Sequence, residues 1–435
     1  MATTPAAAAA VGSNNKRVIT VEDVQQRYKF WRKYVSTLYD LVSTHTLNAP
    51  VPCVEIIDTS KGDWSQLVNT GGDEDDDLWS SVHSRLLAVG TAGYDTQSSI
   101  EFFQTDIPAP NSTAAARTES ASEPLNKCSR VKTTPLFSAA AGANSPEEEL
   151  LVFRPHPDRS TLLASTNQKG LSVWDFEGRS TDFKCVELSK AYGQAIAWQQ
   201  NRLLLGAHNG AVFVFDVAAE QQISSNVSFT ELSSAPHSNS SVFAVECSSS
   251  SEFLSASGDG SICLWDIRQS SGGGSPNGAH NGNAHDGYGV SCLSTLRESL
   301  FLSGAGLDAM GKGPTNPQVK LWDLRNLQTE VSTFTCNSSS RVHTEDHGCA
   351  VHQVRWNPHA SNEFASCSED GAVRLWDKSK IGSTPDADGP GELLFVHAGH
   401  VGAVTDFQFD PKFNRTLVSA SDENVMIWRP LLSCF

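Results

Sequence analysis

The sequence lacks any apolar run long enough to cross a bilayer, so no segment reads as membrane-spanning. It also lacks an excess of positive charge. Lys and Arg total 32 against 49 Asp and Glu, a formal net charge of −17, which argues against direct nucleic-acid binding because displacing counterions from phosphates usually needs a basic face. The ten cysteines include no CxxC pair and no repeated spacing. Several sit in strand-like runs such as that around Cys263, where cysteine acts as a small apolar filler, so free thiols in a reducing compartment are expected. No nucleophile elbow, zinc-protease helix or paired-carboxylate signature stands out. The one near miss, Gly306 to Gly313, follows phosphate-loop spacing but has Gly313 where Ser or Thr would hold magnesium. His280 and His285, or His343, His347 and Cys349, have no second half-site of metal-ligand spacing beside them. The chain is therefore read as no enzyme, with no cofactor, no metal and no membrane association.

What is present begins with one long amphipathic stretch. At 435 residues and 39% hydrophobic, the chain can bury a large core. Residues 1–16, with positive charge placed after the apolar residues, read as a disordered tail rather than a secretory signal. Residues 17–47 read as an N-terminal helix, its start marked by Thr20 and Asp23 in capping-box spacing. Val21, Val24, Tyr28, Trp31, Val35, Leu38 and Val42 recur at steps of three and four and define one stripe. Phe30, Tyr34 and Leu41 form a second row about a quarter turn away, with Leu38 on the border. Either this is one wide face sunk in a groove, or one row docks and the other is offered to a partner. Removing residues 1–47 is expected to cost binding more than folding.

From residue 48 to 435 the period becomes alternating, and a strand, tight polar turn and strand pattern recurs about every 40–57 residues. Gln168, Asn209, Asp259, Asp370 and Asp422 each stand six residues before Trp174, Phe215, Trp265, Trp376 and Trp428. Two more units, Arg85 to Thr105 and the one ending Val319 to Arg325, bring the count to seven. The solvated loops expected between strands fall at about 70–78, 106–135, 270–288, 306–318 and 378–396.

Through the Trp-Asp pairs at Trp174, Trp265, Trp322 and Trp376, and the Gly399-His400 pair, the sequence resembles the WD40 family. That resemblance implies an all-β, seven-bladed propeller with the long helix packed on its side, and a structural buried set of His400, Asp422 and Trp428. The motifs YKFWRK (Tyr28 to Lys33), LYDLV with THTL (Leu38 to Leu47), WDLRNL (Trp322 to Leu327), HQVRWNPH (His352 to His359) and WDKSKIG through DADGPGELLF to HAGH narrow the likeness to one subfamily. They resemble the retinoblastoma-associated and MSI-like histone-binding proteins.

This likeness implies a histone-binding scaffold or chaperone, a nuclear and also cytoplasmic subunit of chromatin assembly, remodelling, deacetylase or methyltransferase complexes. It would be a monomer within those complexes, holding histone H4, as part of H3-H4, by its first helix. The implied groove lies between the N-terminal helix and the 385–395 loop, with Phe30, Tyr34, Leu38, Leu41, Asp386, Asp388, Glu392, Leu394 and Phe395 as its residues. Asp388 matches a carboxylate that pairs with histone arginines. Gly391 stands at the second of the family's paired prolines, and Asp386 stands one position from the family's upstream aspartate. On the propeller face that takes the H3 tail in the family, Glu147 and Glu149 match polar positions. Asn48, Tyr192, Phe243 and Ala350 replace glutamates there, so an ordinary H3-tail site is not expected. Two other classes compete. WDIR (Trp265 to Arg268) and WDLR (Trp322 to Arg325) fit a substrate receptor of a cullin ubiquitin ligase, and the acidic GGDEDDD run (Gly71 to Asp77) fits a ribosome-assembly WD40 chaperone.

Overall fold

The computed structural model describes residues 21–47, 49–61, 64, 82–91, 98–110, 133–140, 150–167, 170–175, 182–187, 193–217, 229–233, 237, 240–269, 280–296, 299–335, 349–384, 390–422 and 424–431. Helix α1 spans Val21–Leu38, and strand β1, Tyr39–Thr46, follows directly. Among the described residues, seven four-stranded antiparallel sheets then form. The first holds Val54–Ile57, Val82–Thr91, Ser99–Pro108 and Thr133–Ala140 (β2 to β5). The second holds Leu150–Pro155, Leu162–Asn167, Gly170–Asp175 and Asp182–Glu187 (β6 to β9). The third holds Gly193–Gln199, Arg202–Ala207, Val212–Asp216 and Phe229–Ser233 (β10 to β13). The fourth holds Val242–Cys247, Glu252–Ser257, Ile262–Asp266 and His280–Asn281 (β14 to β17). The fifth holds Tyr288–Leu296, Leu300–Asp308, Gln318–Asp323 and Ser332–Thr335 (β18 to β21). The sixth holds Val351–Trp356, Glu363–Ser368, Val373–Asp377 and Leu393–His397 (β22 to β25). The seventh holds Val404–Phe409, Leu417–Ser421 and Asn424–Pro430 (β26 to β28), with β1 on its outer edge. Each sheet's first strand packs against that of the next, and β26 packs back on β2, which closes the ring into a propeller.

The repeat builds each blade through a small polar device. Trp174, Trp265, Trp322, Trp376 and Trp428 donate their indole N–H to Ser165, Ser255, Ser303, Ser366 and Ser419 on the adjacent strand. Each tryptophan can therefore be buried with its polar edge satisfied. His237, His285 and His400 bond three of those serines through Nε2, each at 2.7 Å. The structural set around Trp428 is thus His400, Ser419 and Trp428. Asp422, expected within it, is exposed in the turn between β27 and β28. His285, weighed in the sequence as a ligand inside a solvated loop, belongs to a blade core instead, and burial lowers its pKa to about 4.

The turn residues act as their spacing implies. The side-chain oxygens of Asn209, Asp259 and Asp370 accept the N–H of the residue two positions on, Ala211, Ser261 and Ala372. Between them Gly210, Gly260 and Gly371 take φ of 83°, 84° and 75°, the left-handed region where a side chain is strained. Cys53, Cys263, Cys292, Cys349 and Cys367 are buried free thiols.

The helix is shorter than its periodicity implies. It ends at Leu38, and residues 39–46 pair with β28 from Tyr39 opposite Pro430 to Thr46 opposite Asn424. Val42 fits the three-four spacing, yet Tyr-Asp-Leu-Val-Ser-Thr-His-Thr is rich in aromatic and β-branched residues, and an open strand edge outweighs a continued helix. Two expected loops are also shorter. Residues 280–281 form β17 and 393–397 form β25, because each supplies the fourth strand of its blade.

The closing strand carries a buried ion pair, Arg429 Nη1 to Asp40 Oδ2 at 2.9 Å, with the side chains 5% and 8% exposed. Arg429 Nε also donates to Thr416 at 2.7 Å. Removing one partner of such a pair leaves an uncompensated charge, so Asp40→Ala should lower stability by about 3–5 kcal/mol in urea denaturation. Because β1 belongs to the seventh blade, removing residues 1–47 should abolish a single cooperative melting transition, contrary to the expectation from a helix alone. A chain beginning at Leu38 should retain that transition.

Candidate functional site

α1 lies over the junction of the sixth and seventh blades. Trp31 and Val35 from its buried face join Tyr39, Val373, Leu375, Phe395, Val404, Phe407 and Trp428 in one core cluster. Tyr28, Leu38 and Leu394 are half-buried against that cluster, and Tyr34 is half-buried with Lys33 Nζ 5.2 Å from its ring centroid. Val396 and Ile381 are exposed on the neighbouring β25 and loop. This helix and β25 region therefore has an apolar floor, Trp31 and Phe395, below a rim of partly exposed apolar side chains. A helix face of three-four spacing could cover such a rim.

Polar contacts fix the floor. Trp31 donates its indole N–H to Tyr39 Oη at 3.0 Å, and Tyr39 O–H reaches His397 Nδ1 at 2.8 Å. With Tyr39 as donor, Nδ1 is the acceptor and the ring proton sits on Nε2. The His397 ring stacks on Trp428, centroids 4.3 Å apart and planes 7° apart. One chain of contacts thus ties α1, β1, β25 and β28 together. Burial, with His400 adding to it, holds the His397 pKa well below the usual histidine value. Burial raises the Tyr39 phenol in turn, partly offset by Trp31.

The loop between β24 and β25 is pinned at its base. Glu392 Oε1 accepts the Gly382 N–H at 3.2 Å, Glu392 O accepts the Asp377 N–H at 2.8 Å, and Pro390 O accepts the Leu393 N–H at 2.9 Å. A β-carbon at Gly391 would collide with Ser383, which explains glycine at that position.

The structure distributes the expected groove residues unevenly. Tyr34, Leu38, Leu394 and Phe395 are brought together on the rim and floor. Leu41 is not, because it lies in β1, buried with Val54, Leu87, Val89 and Ile427 between the seventh and first blades. Glu392 braces the loop rather than standing free. Phe30 is within α1 with its side chain outside the described residues, as are Asp386, Asp388, Glu147 and Glu149. Tyr39 and His397 escaped the sequence reading. Their signal was the first histidine of HAGH, overshadowed by the Gly-His pair that follows it. The arginines of the two WD-x-R motifs are each turned back onto their own aspartates, Arg268 on Asp266 at 2.6 Å and Arg325 on Asp323 at 2.5 Å. Among the described residues no group of three or more His, Cys, Asp or Glu is placed to hold a metal.

Residues 26–109 match the family of the histone-binding protein RBBP4, a subunit of the CAF1 complex, and residues 230–266, 337–377 and 391–429 match the WD domain, G-beta repeat. The first match covers most of α1, all of β1 and the first blade through β4. Similarity also extends along whole relatives. Histone-binding protein MSI1 of Saccharomyces cerevisiae is 24% identical over 436 residues, spanning 94% of each chain. Histone acetyltransferase type B subunit 2 of Debaryomyces hansenii is 26% identical over 425 residues, covering 93% of this chain and 90% of that one. Its counterpart from Candida glabrata is 24% identical over 440 residues, covering 97% and 91%. The chain is a divergent member of the WD40 histone-binding family. In this member the α1 face and the base of the β24 to β25 loop belong to the family's own matched segments, not to generic blade sequence.

The buried histidine gives the site a pH dependence with a definite sign. An unfolded histidine takes a proton near 6.5, whereas folded His397 resists protonation. Its contribution to stability is therefore complete above about 6.5 and is lost as pH falls, by up to about 1.4 kcal/mol for each pH unit below that value. Lowering pH from 7.5 to 5.5 should depress the melting temperature. His397→Phe, which keeps a ring against Trp428, should flatten part of that slope while His285 supplies the remainder.

Proposed function

We propose that the protein is a non-catalytic histone-binding scaffold that holds the first helix of histone H4 against α1 and the β24 to β25 loop. What most supports the reading is the family match over residues 26–109, which falls on the helix and closing strand that carry the half-buried apolar rim. The H4 helix lays its apolar face over Tyr34, Leu38 and Leu394, with Phe395 beneath, and its arginines meet carboxylates of the loop, Asp388 foremost and Asp386 beside it. Such charge-assisted pairs orient the helix, and apolar burial supplies most of the affinity.

On this reading binding is the whole activity. The catalytic steps of histone modification or deposition belong to the enzymes and chaperones that the propeller accompanies, in the nucleus and during histone transit through the cytoplasm. The acidic balance of the chain, −17, suits a basic histone client.

The test is a calorimetric titration of the full chain with a peptide of the H4 first helix. Leu38→Asp should weaken binding by about 30-fold or more, the loss typical of a hot-spot side chain, and Asp388→Ala by about tenfold. Absence of binding, or binding indifferent to both substitutions, would exclude the groove.

A further inference from the structure

Far from α1, the ends of β2, β6, β18, β22 and β26 surround a cavity of about 410 Å³ at one mouth of the propeller axis. That volume lies in the range of about 300–1,000 Å³ usual for ligand pockets. Its walls include Trp356, Phe409, Pro157, Pro358 and Pro411. Beneath it runs a charged network contributed by different blades. Arg154 Nη1 meets Glu55 at 3.0 Å, and Arg355 Nη2 lies 3.4 Å from both Glu55 and Asp406.

The cavity has donors to spare and few free acceptors. Ser160 Oγ already accepts from the Trp64 indole, and Ser294 Oγ from the Trp356 N–H. Asp58 Oδ1 accepts from Ser60 N and Oγ. By contrast, Arg355 uses only Nη2, and among the described residues its buried Nε has no partner. Gln408 spends Oε1 on the Ile56 N–H, and among the described residues its Nε2 donor has no partner. At the rim Lys61 Nζ gives one proton to Pro157 O at 2.7 Å and lies 3.8 Å from Asp58, and an ammonium carries three. Beneath the floor, burial pushes the Glu55 and Glu246 carboxyls up, which moderates the negative side of the axial network.

We propose that this cavity is a second docking site, taking a glutamate or aspartate side chain from an extended segment of a partner protein. The carboxylate accepts from Arg355, Gln408 and Lys61, and apolar neighbours on the segment lie along the proline and tryptophan walls. The proline walls present no N–H groups of their own, so they offer apolar contact without competing for the carboxylate. This goes beyond the histone groove. It gives the scaffold a separate point of attachment for an acidic client while α1 remains available.

The test uses fluorescence anisotropy of the full chain with a labelled heptapeptide whose central glutamate is flanked by leucines and prolines. The expected result is saturable binding that weakens about tenfold when the glutamate is replaced by glutamine, the loss typical of one charge-assisted contact. Gln408→Glu keeps an acceptor for the Ile56 N–H but turns the free donor into a repelling oxygen. This variant and Lys61→Glu should each cut binding at least tenfold, with an unchanged melting temperature and unchanged binding of the H4 peptide, so loss of fold or of the groove is told apart. No binding, equal binding of the glutamine peptide, or binding indifferent to both substitutions would overturn the proposal. So would equal affinity for free N-acetylglutamate amide, which would mark a small-molecule pocket.

Discussion

Seven sheets close into a ring only if something joins the two ends of the chain, and here the joint is the antiparallel pairing of β1 with β28. The backbone bonds of this pair cover an edge of the seventh blade, and the Asp40 to Arg429 ion pair fixes their register. The inner strands pack neighbour to neighbour around the axis, so every blade depends on its neighbours being in place. The charged cluster of Glu55, Arg154, Arg355 and Asp406 is a product of that closure, since its members come from separate blades. Outside a closed ring they would be buried charges with no counterpart.

The same joint positions the helix. α1 runs straight into β1, so its exit direction is set by the strand pairing, and Trp31, Tyr39 and His397 then lock its face onto the sixth and seventh blades. The family match that begins in α1 and continues through β1 covers this combined unit. Groove and closure are thus one piece of architecture, with the apolar rim on the outside of a strand whose inside completes the ring.

Much of this was readable in the chain. The recurring turn residue six before an aromatic gave the blades, because a tight Asx turn with a left-handed glycine leaves a strong local mark. The serine that joins histidine to tryptophan was equally periodic, nine or ten residues before Trp174, Trp265, Trp376 and Trp428, but serine is common enough to pass unseen. The end of α1 was not readable, since Val35, Leu38 and Val42 satisfy a helical stripe and only the distant residues 424–430 decide for a strand. Leu41 was misplaced for that reason alone. The axial donors and acceptors were hidden too, because Glu55, Arg355 and Asp406 meet only after hundreds of residues have been arranged in a circle.

Tyr39 has a consequence for timing. Its strand partners lie nearly four hundred positions further along the chain, as the separation of Asp40 from Arg429 records, so synthesis must deliver the last blade before the first strand has anywhere to go. Until then Trp31 has no finished floor to sit on. A growing or misassembled propeller presents no docked helix to a client, and recruitment is deferred, by connectivity alone, to chains that have been completed.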